Sequence, residues 1–336
     1  MLKHKIVFTG GHGATTALAV LEEIKFRKYD WDIFWIGSQL AIEGRREKTL
    51  EYEFFPKHGI KFLPITTGRF QRKFTFWTIP SILTIPFGFI QSFGYLLKIK
   101  PEAVLSFGGY SAFPVVVCAM VLGIPVVIHE QTSAAGRANL ASKVFADKIA
   151  LSRPDSSKYF PKNKSLVTGN PVSRRMFLLK TKHAIGSPPV LFITGGSRGS
   201  QAINAVVLEV LPELLKKFIV FHQTGEIDIK KFEGVKEVLP TAISNRYTVF
   251  SRVSPDETAI LFEKADIIIS RSGANTVSDI LAAKRPAIVI PLPISFMDEQ
   301  TKNAEFLEKF GFVSIIPQRK LTGTRLLLEI NKIILN

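Results

Sequence analysis

The sequence predicts an α/β protein built from two doubly wound, parallel-sheet domains. Short apolar runs rich in β-branched residues alternate with helix-like stretches, which is the pattern of repeated βα units. The alternation stops near the middle of the chain and then restarts. Glycine-rich turns follow several of the predicted strands, as is typical where a parallel strand leads into a helix. A chain of 336 residues is long enough to form two domains with separate cores.

The predicted strands form two sets of six. The first set comprises residues 6–8, 33–36, 62–65, 103–105, 125–128 and 148–151. The second set comprises residues 190–193, 218–221, 247–250, 267–269, 287–290 and 312–316. Turn-forming residues separate the sets, so we place a first domain at 1–167, a second at 168–319 and a C-terminal helix at 320–336. Ligands of open α/β sheets bind beyond the carboxyl ends of the strands, so the two domains are expected to face one cleft.

The charge balance predicts an anionic partner. Lys and Arg number 44 against 28 Asp and Glu, which leaves a formal net charge of +16. A nucleotide, a nucleic acid or phospholipid headgroups would suit this charge, and charge alone does not choose among them. The single cysteine, Cys118, lies in an apolar run and is expected to be buried and inert, which excludes a disulfide scaffold and fits a reducing cytosol. Only three apolar residues follow the basic start before the first glycines, so no secretory signal is expected there.

A long uncharged segment is a candidate for a membrane-spanning helix. No charged residue lies between Lys73 and Lys98, and about 20 apolar residues suffice to cross a bilayer. Two prolines, two glycines and several polar side chains interrupt the segment, and it lies between two predicted strands of one sheet. We therefore expect it not to span a membrane.

Four glycine-rich turns can present backbone N–H groups to an anion at the start of a helix. They lie at residues 9–13, 107–111, 194–199 and 271–276. Each is, on its residues alone, equally compatible with a plain strand-to-helix turn. None fits the dinucleotide fingerprint or the P-loop, so both of those readings are disfavoured.

Two side chains near these turns could carry acid–base chemistry. His12 lies in the first turn, where a neutral imidazole can take a proton from a hydroxyl near neutral pH, or can serve only to cap the turn. Glu130, in the run 129–131 after another predicted strand, could orient an acceptor or pair with a basic neighbour. Neither a metal-ligand spacing of Cys and His nor a G-x-S-x-G motif is found.

In their order and spacing, the motifs resemble the MurG family of UDP-N-acetylglucosamine transferases over nearly the whole chain. The residues that carry the resemblance are 9–12, 107–110, 123–131, 168–172, 195–197, 222–225, 271–274, 276–278 and 298–304. The resemblance implies the two-domain GT-B fold. It also implies that the carboxyl-terminal domain holds the UDP-sugar, that the amino-terminal domain holds the lipid acceptor, and that the final helix packs back on the first domain.

The resemblance further implies a set of donor-binding residues. One glycine loop would cradle the diphosphate, a second loop would face the nucleotide, and a polar run would bind the sugar hydroxyls. These residues are Gly195, Gly196, Ser197, Arg271, Ser272, Gly273, Ala274, Thr276, Asp279, Gln300, Thr301 and Asn303. Asp279 stands where the family has a glutamate that binds the ribose, and it is one methylene shorter.

A second implied set binds the acceptor, with His12 as the base and Glu130 as the other catalytic residue. The acceptor-binding residues are Thr9, Gly10, Gly11, His12, Gly108, Gly109, Tyr110, Glu130, Gln131 and Asn139. Two features depart from the family pattern. Thr132 replaces an asparagine, and the first glycine loop is one residue longer than the common form.

The resemblance also gives the uncharged segment a role as a peripheral membrane face. Cationic and aromatic side chains alternate at its start, as they do in interfacial anchors. These residues are Arg69, Phe70, Arg72, Lys73, Phe74, Phe76 and Trp77. Part of the same segment is expected to be a crossover helix buried in the first domain.

The function implied by the resemblance is an inverting transfer of N-acetylglucosamine from UDP-GlcNAc. The acceptor would be the 4-hydroxyl of an undecaprenyl-diphosphate-linked muramoyl peptide, in peptidoglycan synthesis at the cytoplasmic face of the membrane. No metal or other cofactor and no nucleic acid are expected to take part, and an anionic membrane surface is expected as a partner. The alternatives are a GT-B transferase with another lipid acceptor, a sugar-nucleotide epimerase, and a catalytically silent lipid-binding scaffold.

Overall fold

A computed structural model describes residues 3–11, 13–40, 48–68, 78–196 and 199–335, and for residues 78–82 it describes the backbone alone. The chain divides into two compact units, Met1–Pro171 and Val172–Asn336. The division falls inside the predicted connecting turn, a few residues beyond residue 167.

The first unit is built on a seven-stranded parallel sheet. Its strands are β1 (His4–Thr9), β2 (Trp31–Gly37), β3 (Lys61–Pro64), β4 (Ala103–Ser106), β5 (Val126–Glu130), β6 (Lys148–Leu151) and β7 (Ser165–Val167). The spatial order is β3-β2-β1-β4-β5-β6-β7. The chain reverses its direction of winding between β1 and β4, so the carboxyl ends of these two strands form the switch point at which doubly wound sheets bind ligands.

Helices cover both faces of this sheet. They are α1 (Ala14–Phe26), α2 (Leu50–Phe54), α3 (Thr78–Ile99), α4 (Ala112–Val121) and α5 (Arg137–Ser142), with 3-10 turns at Phe55–His58 and Pro154–Tyr159. Val7 of β1 packs into one apolar cluster with Leu96 of α3 and Val115 of α4, whereas the next residue, Phe8, packs into a second cluster with Leu21 of α1. Burial on both faces explains why the strands are continuous apolar runs.

The second unit repeats this plan with a six-stranded parallel sheet. Its strands are β8 (Val190–Thr194), β9 (Ile219–Gln223), β10 (Tyr247–Phe250), β11 (Ile267–Ser270), β12 (Ala287–Val289) and β13 (Val313–Ile315). Its helices are α6 (Arg174–Phe177), α7 (Gln201–Lys217), α8 (Ile229–Val238), α9 (Thr241–Ser244), α10 (Pro255–Lys264), α11 (Ala274–Ala283), α12 (Glu299–Glu308) and α13 (Gly323–Leu335), with 3-10 turns at Phe296–Asp298 and Gln318–Lys320. The order β10-β9-β8-β11-β12-β13 places its switch point between β8 and β11.

All twelve predicted strands are confirmed, with ends that differ by no more than two residues. The prediction missed β7, a three-residue strand that pairs only with β6. Leu166 and Val167 on it are exposed, so this edge strand lacks the long apolar run that marks the others. Cys118 is buried, as predicted, and burial raises the pKa of its thiol.

The uncharged segment forms α3, and its carboxyl-terminal half is partly buried as expected. Leu96 and Ile99 pack in the core of the first unit, while Ser92 Oγ donates a hydrogen bond to Gly88 O at 2.6 Å. In the part of the chain that the structure describes, no helix has both the length and the hydropathy needed to span a bilayer.

The last helix, α13, packs against α7 within the second unit. Leu326 and Ile330 are buried in the same cluster as Leu214 of α7. A Cβ on Gly323 would lie 2.5 Å from Val210 Cγ1, so the two helices meet too closely for a larger residue at this position. The apolar face of α13 therefore packs against α7. The packing of 320–336 on the first domain stays a prediction.

Replacement of Leu326 by alanine should lower the free energy of unfolding of the second unit by about 2–5 kcal/mol, because it leaves a cavity between α13 and α7. Chemical unfolding followed by fluorescence measures this change. The control is Leu328→Ala on the same helix, where the side chain is 43% exposed and the expected cost is below about 1 kcal/mol. Equal costs for the two variants would contradict the packing described here.

Candidate active site

Two glycine turns of the first unit pack directly against each other at its switch point. The Gly11 N–H donates a hydrogen bond to Gly108 O at 2.8 Å. A Cβ on Gly109, whose φ is +90°, would lie 2.6 Å from Gly11 N, so no other residue fits there. Ser111 Oγ donates to Gly10 O at 2.9 Å and ties the second turn to the first. The carboxyl ends of β1 and β4 therefore carry one shared surface of backbone groups.

Other predicted acceptor residues surround this surface. Buried Thr9 donates its hydroxyl to Ile36 O at 2.8 Å, which fixes the end of β1 to β2. Tyr110 reaches outward, and its hydroxyl donates to Leu40 O at 3.4 Å. Gln131 Nε2 donates to Phe107 O at 3.3 Å, so the loop after β5 is joined to the turn after β4.

Glu130 is buried at the end of β5, and its carboxylate organises the loop that follows. Oε1 accepts hydrogen bonds from Thr132 N at 3.1 Å and from Thr132 Oγ1 at 3.0 Å. Oε2 accepts from Gly136 N and from Asn139 Nδ2, both at 2.9 Å. A carboxylate offers about four acceptor sites, and all of them are used here. These contacts favour a loop-organising role, and the catalytic role of Glu130 stays a prediction.

Thr132, which stands where the family has an asparagine, has a structural role, because its hydroxyl and its N–H both donate hydrogen bonds to Glu130. Asn139 is also enclosed by this loop, and its Nδ2 donates to His129 O at 3.2 Å in addition to Glu130. A Cβ on Gly108 would lie 2.8 Å from Asn139 Oδ1. Asn139 therefore supports the glycine turn from beneath.

His129 is a neutral, buried histidine that connects the sheet to the chain leaving the first unit. Burial lowers the pKa of its imidazole to about 4. Its Nε2 lies 3.3 Å from Gly169 O and 3.2 Å from Ser152 Oγ. His129 thus anchors the start of the interdomain connection.

The structure brings nine of the ten predicted acceptor residues to the ends of β1, β4 and β5. They are Thr9, Gly10, Gly11, Gly108, Gly109, Tyr110, Glu130, Gln131 and Asn139. The tenth, His12, lies outside the described residues, as do the predicted membrane residues Arg69, Phe70, Arg72, Lys73, Phe74, Phe76 and Trp77.

Sequence reasoning missed Glu51 at this site. Glu51 is buried on α2, and its Oε1 accepts a hydrogen bond from Gly13 N at 2.9 Å, at the start of α1. A carboxylate at a helix N-terminus is favourable because of the helix dipole. No local signal identifies Glu51, since the neighbouring acidic residue Glu53 has the same appearance in the sequence and only the fold buries one of the two.

The predicted diphosphate site of the second unit is the glycine loop after β8. A Cβ on Gly195 would lie 2.2 Å from Ser200 N, so the loop folds back on itself without space for a side chain. Gly196 N donates to Thr194 Oγ1 at 3.0 Å, and Ser200 caps α7 by accepting from Ile203 N at 3.4 Å. The loop therefore leads into the N-terminus of a 17-residue helix, where an anion is stabilised by free N–H groups and by the helix dipole. The predicted ligand Ser197 lies outside the described residues.

Arg271 is buried at the end of β11, and carbonyl oxygens hold its guanidinium. NH1 donates to Ile290 O at 3.0 Å and to Pro291 O at 3.3 Å, and NH2 donates to Gln318 Oε1 at 2.7 Å. Burial lowers the pKa of the guanidinium, yet arginine stays charged at neutral pH. Within the described residues it forms no ion pair with a carboxylate.

Three of the remaining predicted donor residues form one hydrogen-bonded group near the starts of α11 and α12. Ser272 Oγ donates to Gln300 O at 2.8 Å, and Asn303 Nδ2 donates to Ser272 O at 3.2 Å. Gln300 Oε1 accepts from Leu292 N at 3.0 Å. Gly273 caps α11 and Ala274 is its first residue, while Thr276 is half-buried and Thr301 is exposed at the start of α12.

Asp279 lies on α11 and is the most perturbed carboxyl of the predicted site. Burial raises its pKa to about 7, and no hydrogen bond from the described residues satisfies the carboxylate. Hydroxyl donors of a ligand would supply the missing hydrogen bonds and would favour the charged form.

Comparison with known proteins assigns each of the two units to a protein family. Residues 9–151 match the glycosyltransferase family 28 N-terminal domain, and residues 190–336 match the glycosyltransferase family 28 C-terminal domain. A Bacillus cereus protein is 31% identical over 98% of this chain and 91% of its own length. A Caldanaerobacter subterraneus protein is 34% identical over 95% of this chain and 86% of its own length. Both bear the name UDP-N-acetylglucosamine--N-acetylmuramyl-(pentapeptide) pyrophosphoryl-undecaprenol N-acetylglucosamine transferase, the former with the number 2.

The chain belongs to the MurG family. The crystal structure of Acinetobacter baumannii MurG has a TM-score of 0.66 and 26% identity, and it covers 98% of this chain and 90% of its own. The fold is therefore GT-B. A UDP-GlcNAc 2-epimerase from Methanocaldococcus jannaschii also matches, with a TM-score of 0.62 and 13% identity over 98% of this chain and 92% of its own, which shows a common fold only.

If Asp279 accepts hydrogen bonds from the ribose hydroxyls, UDP should bind more tightly as the pH rises. The charged form is the acceptor, so affinity should increase through the pKa of about 7 and level off near pH 8. Calorimetric titration between pH 6 and 8 measures this dependence.

The phosphates of UDP titrate in a similar range, so Asp279→Asn is the reference for this experiment. The variant should bind UDP about 10-fold more weakly than the wild type at pH 8 and should lose the additional pH dependence. Parallel pH profiles for the two proteins would mean that the shorter carboxyl does not reach the ribose.

Proposed function

We propose that this MurG-family glycosyltransferase moves N-acetylglucosamine from UDP-GlcNAc to the 4-hydroxyl of an undecaprenyl-diphosphate-linked muramoyl peptide. The observation that carries the proposal is the glycine loop at the start of α7, in a chain that aligns over 98% of its length with a transferase named for this reaction. The product is the disaccharide lipid used in peptidoglycan synthesis.

The second unit supplies the donor chemistry. Backbone N–H groups of the loop after Gly195 and the dipole of α7 favour the diphosphate, and buried Arg271 adds a full positive charge. Negative charge grows on the leaving UDP as the bond from sugar C1 to phosphate oxygen breaks. We propose that these groups stabilise that charge, so that transfer requires no metal.

The first unit supplies the acceptor chemistry. In the proposed mechanism His12 takes the proton of the acceptor 4-hydroxyl, whose oxygen then attacks C1 of the sugar from the side opposite UDP. One displacement inverts the configuration at C1, and UDP leaves with the electron pair. Glu130 acts by fixing the loop that begins at Gln131, and by holding Asn139 of α5, beside the glycine turns.

Transfer of radiolabel from UDP-GlcNAc to lipid extracts tests the proposed reaction. Label should appear on the muramoyl-peptide lipid, and the rate should be unchanged by a chelator such as EDTA. Label on a different lipid would favour a transferase with another acceptor. Absence of transfer to any lipid would favour a silent scaffold.

Replacement of His12 by alanine should lower turnover by roughly 100- to 10,000-fold, as loss of a general base does. Binding of UDP should stay within about twofold, because the donor residues belong to the other unit. Steady-state kinetics and calorimetry separate the two effects. The control His183→Ala removes an exposed imidazole from the stretch between α6 and β8, and it should change neither turnover nor UDP binding. Near-normal turnover of the His12 variant would leave that residue only a turn-forming role.

We further propose that the chain acts at the cytoplasmic face of the membrane as a peripheral protein. Along α3, Leu83, Phe87, Ile90 and Leu97 are 66, 60, 69 and 49% exposed. Their spacing of three, four and seven residues places them on one side of the helix. In the sequence α3 directly follows the cationic and aromatic run 69–77, and this combination supports the proposed insertion into an anionic lipid surface.

The triple variant Leu83→Ser, Phe87→Ser and Ile90→Ser should largely abolish flotation with anionic vesicles, because each inserted side chain contributes about 1.5–3 kcal/mol of burial. Replacement of Arg69, Arg72 and Lys73 by serine should weaken binding by about 1 kcal/mol per cation and should make it less sensitive to salt. The control pair Val238→Ser and Leu335→Ser changes exposed apolar residues of the second unit and should float like the wild type. Equal flotation of all these proteins would rule out the α3 surface.

A further inference from the structure

His222 and Gln223 at the end of β9, and Thr224 directly after it, are buried. This segment lies directly behind the glycine loop that is proposed to hold the diphosphate. A Cβ on Gly199, whose φ is +73°, would lie 2.1 Å from Thr224 O. The position of the loop therefore depends on the position of the Thr224 carbonyl.

Asn204, in the first turns of α7, holds that carbonyl in place. Its Nδ2 donates to Thr224 O at 2.8 Å and to Asp228 Oδ2 at 2.7 Å, which uses both amide hydrogens. Its Oδ1 must then accept from His222 Nε2, 3.1 Å away. Each polar atom of the buried side chain has a defined partner.

The hydrogen-bond assignment of Asn204 also fixes the positions of the protons on His222 and Tyr247. Because His222 Nε2 carries the hydrogen, Nδ1 is an acceptor, and the Tyr247 hydroxyl donates to it at 2.9 Å. Burial lowers the pKa of His222 to about 3 and raises the pKa of Tyr247, so both side chains stay neutral across the physiological range. The group has one hydrogen-bonding arrangement and acts as a rigid support.

A second contact holds the opposite side of the loop. Thr194 Oγ1 donates to Gln223 Oε1 at 2.7 Å and accepts from Gly196 N at 3.0 Å. Gly196 is thus fixed through Gln223, and Gly199 is fixed through Thr224. Both contacts originate from the same end of β9.

We infer that Asn204 and Thr194 are positioning residues for the donor diphosphate, acting through the buried end of β9 to hold the glycine loop in its anion-binding shape. The inference rests on the proposed function, because it assumes that this loop binds the diphosphate of a UDP-sugar. It goes further by assigning a role to two buried residues, Asn204 and Thr194, that are bonded to the loop and to the segment behind it. Small displacements of an anion-binding loop are costly, since a shift of about 1 Å in a catalytic site can reduce the rate about 100-fold.

The test compares UDP with uridine, which has the same base and ribose but no phosphate. Asn204→Ala should weaken UDP binding by about 10- to 100-fold and change uridine binding by less than about twofold. The Michaelis constant for UDP-GlcNAc should rise with the dissociation constant of UDP, while that for the lipid acceptor should stay unchanged. Calorimetry measures UDP binding on the full chain, and NMR titration measures uridine binding.

Thr194→Val keeps the shape of the side chain and removes only its hydroxyl. It should show the same selective loss of UDP affinity, and it decides the question if Asn204→Ala fails to fold. The matched control is Asp266→Asn. Asp266 is buried to the same extent as Asn204, but it accepts a hydrogen bond from Val190 N, at 2.7 Å, at the opposite end of β8 from the glycine loop. The control should lower thermal stability and leave UDP affinity unchanged.

Failure of the proposed function and failure of this inference would give different results. A wild-type chain that does not bind UDP would overturn the proposed function and this inference together. A wild-type chain that binds UDP, with variants that either bind it equally or lose uridine and UDP to the same extent, would overturn the inference alone.

Discussion

The close approach of backbone to backbone at the carboxyl ends of the strands is the constraint on which the rest of this structure depends. In the first unit Gly109 packs on Gly11, and in the second Gly195 and Gly199 pack on their neighbours at distances that exclude any Cβ. Without side chains, the N–H groups of these turns can face a ligand at the start of a helix. The same geometry thus serves folding and binding, so a substitution at these glycines would affect both.

Buried polar side chains support these turns in both units by similar means. In the first unit Glu130 holds Asn139, which lies under Gly108; in the second unit Asn204 holds the Thr224 carbonyl, which lies under Gly199. Buried polar groups are costly unless they are satisfied, and here the hydrogen bonds connect them to the loops. Such groups resemble catalytic residues in a sequence, and only their contacts show that they also hold the loops in place.

The GT-B fold alone does not identify the reaction, because a UDP-GlcNAc 2-epimerase matches this chain almost as well in structure as MurG does. Identity of 31–34% to named transferases over nearly the whole chain establishes the family. What differs among proteins of one fold is the set of side chains at the strand ends. Two unusual features of this chain are Asp279 on α11, with its raised pKa, and Thr132 just after β5, with its two hydrogen bonds to Glu130.

The sequence by itself determined the class of fold, twelve of the thirteen strands that the structure describes and the positions of the glycine turns. It did so because strands buried on both faces are continuous apolar runs and because sharp strand-to-helix turns require glycine. Only the tertiary structure decided that Glu51 is buried and Glu53 is not, that all acceptor sites of Glu130 are occupied, and that His222 bonds both Asn204 and Tyr247. These outcomes depend on which elements meet in space. Asn204 and Tyr247 are far apart in the chain and both contact His222, and no local sequence pattern predicts such contacts.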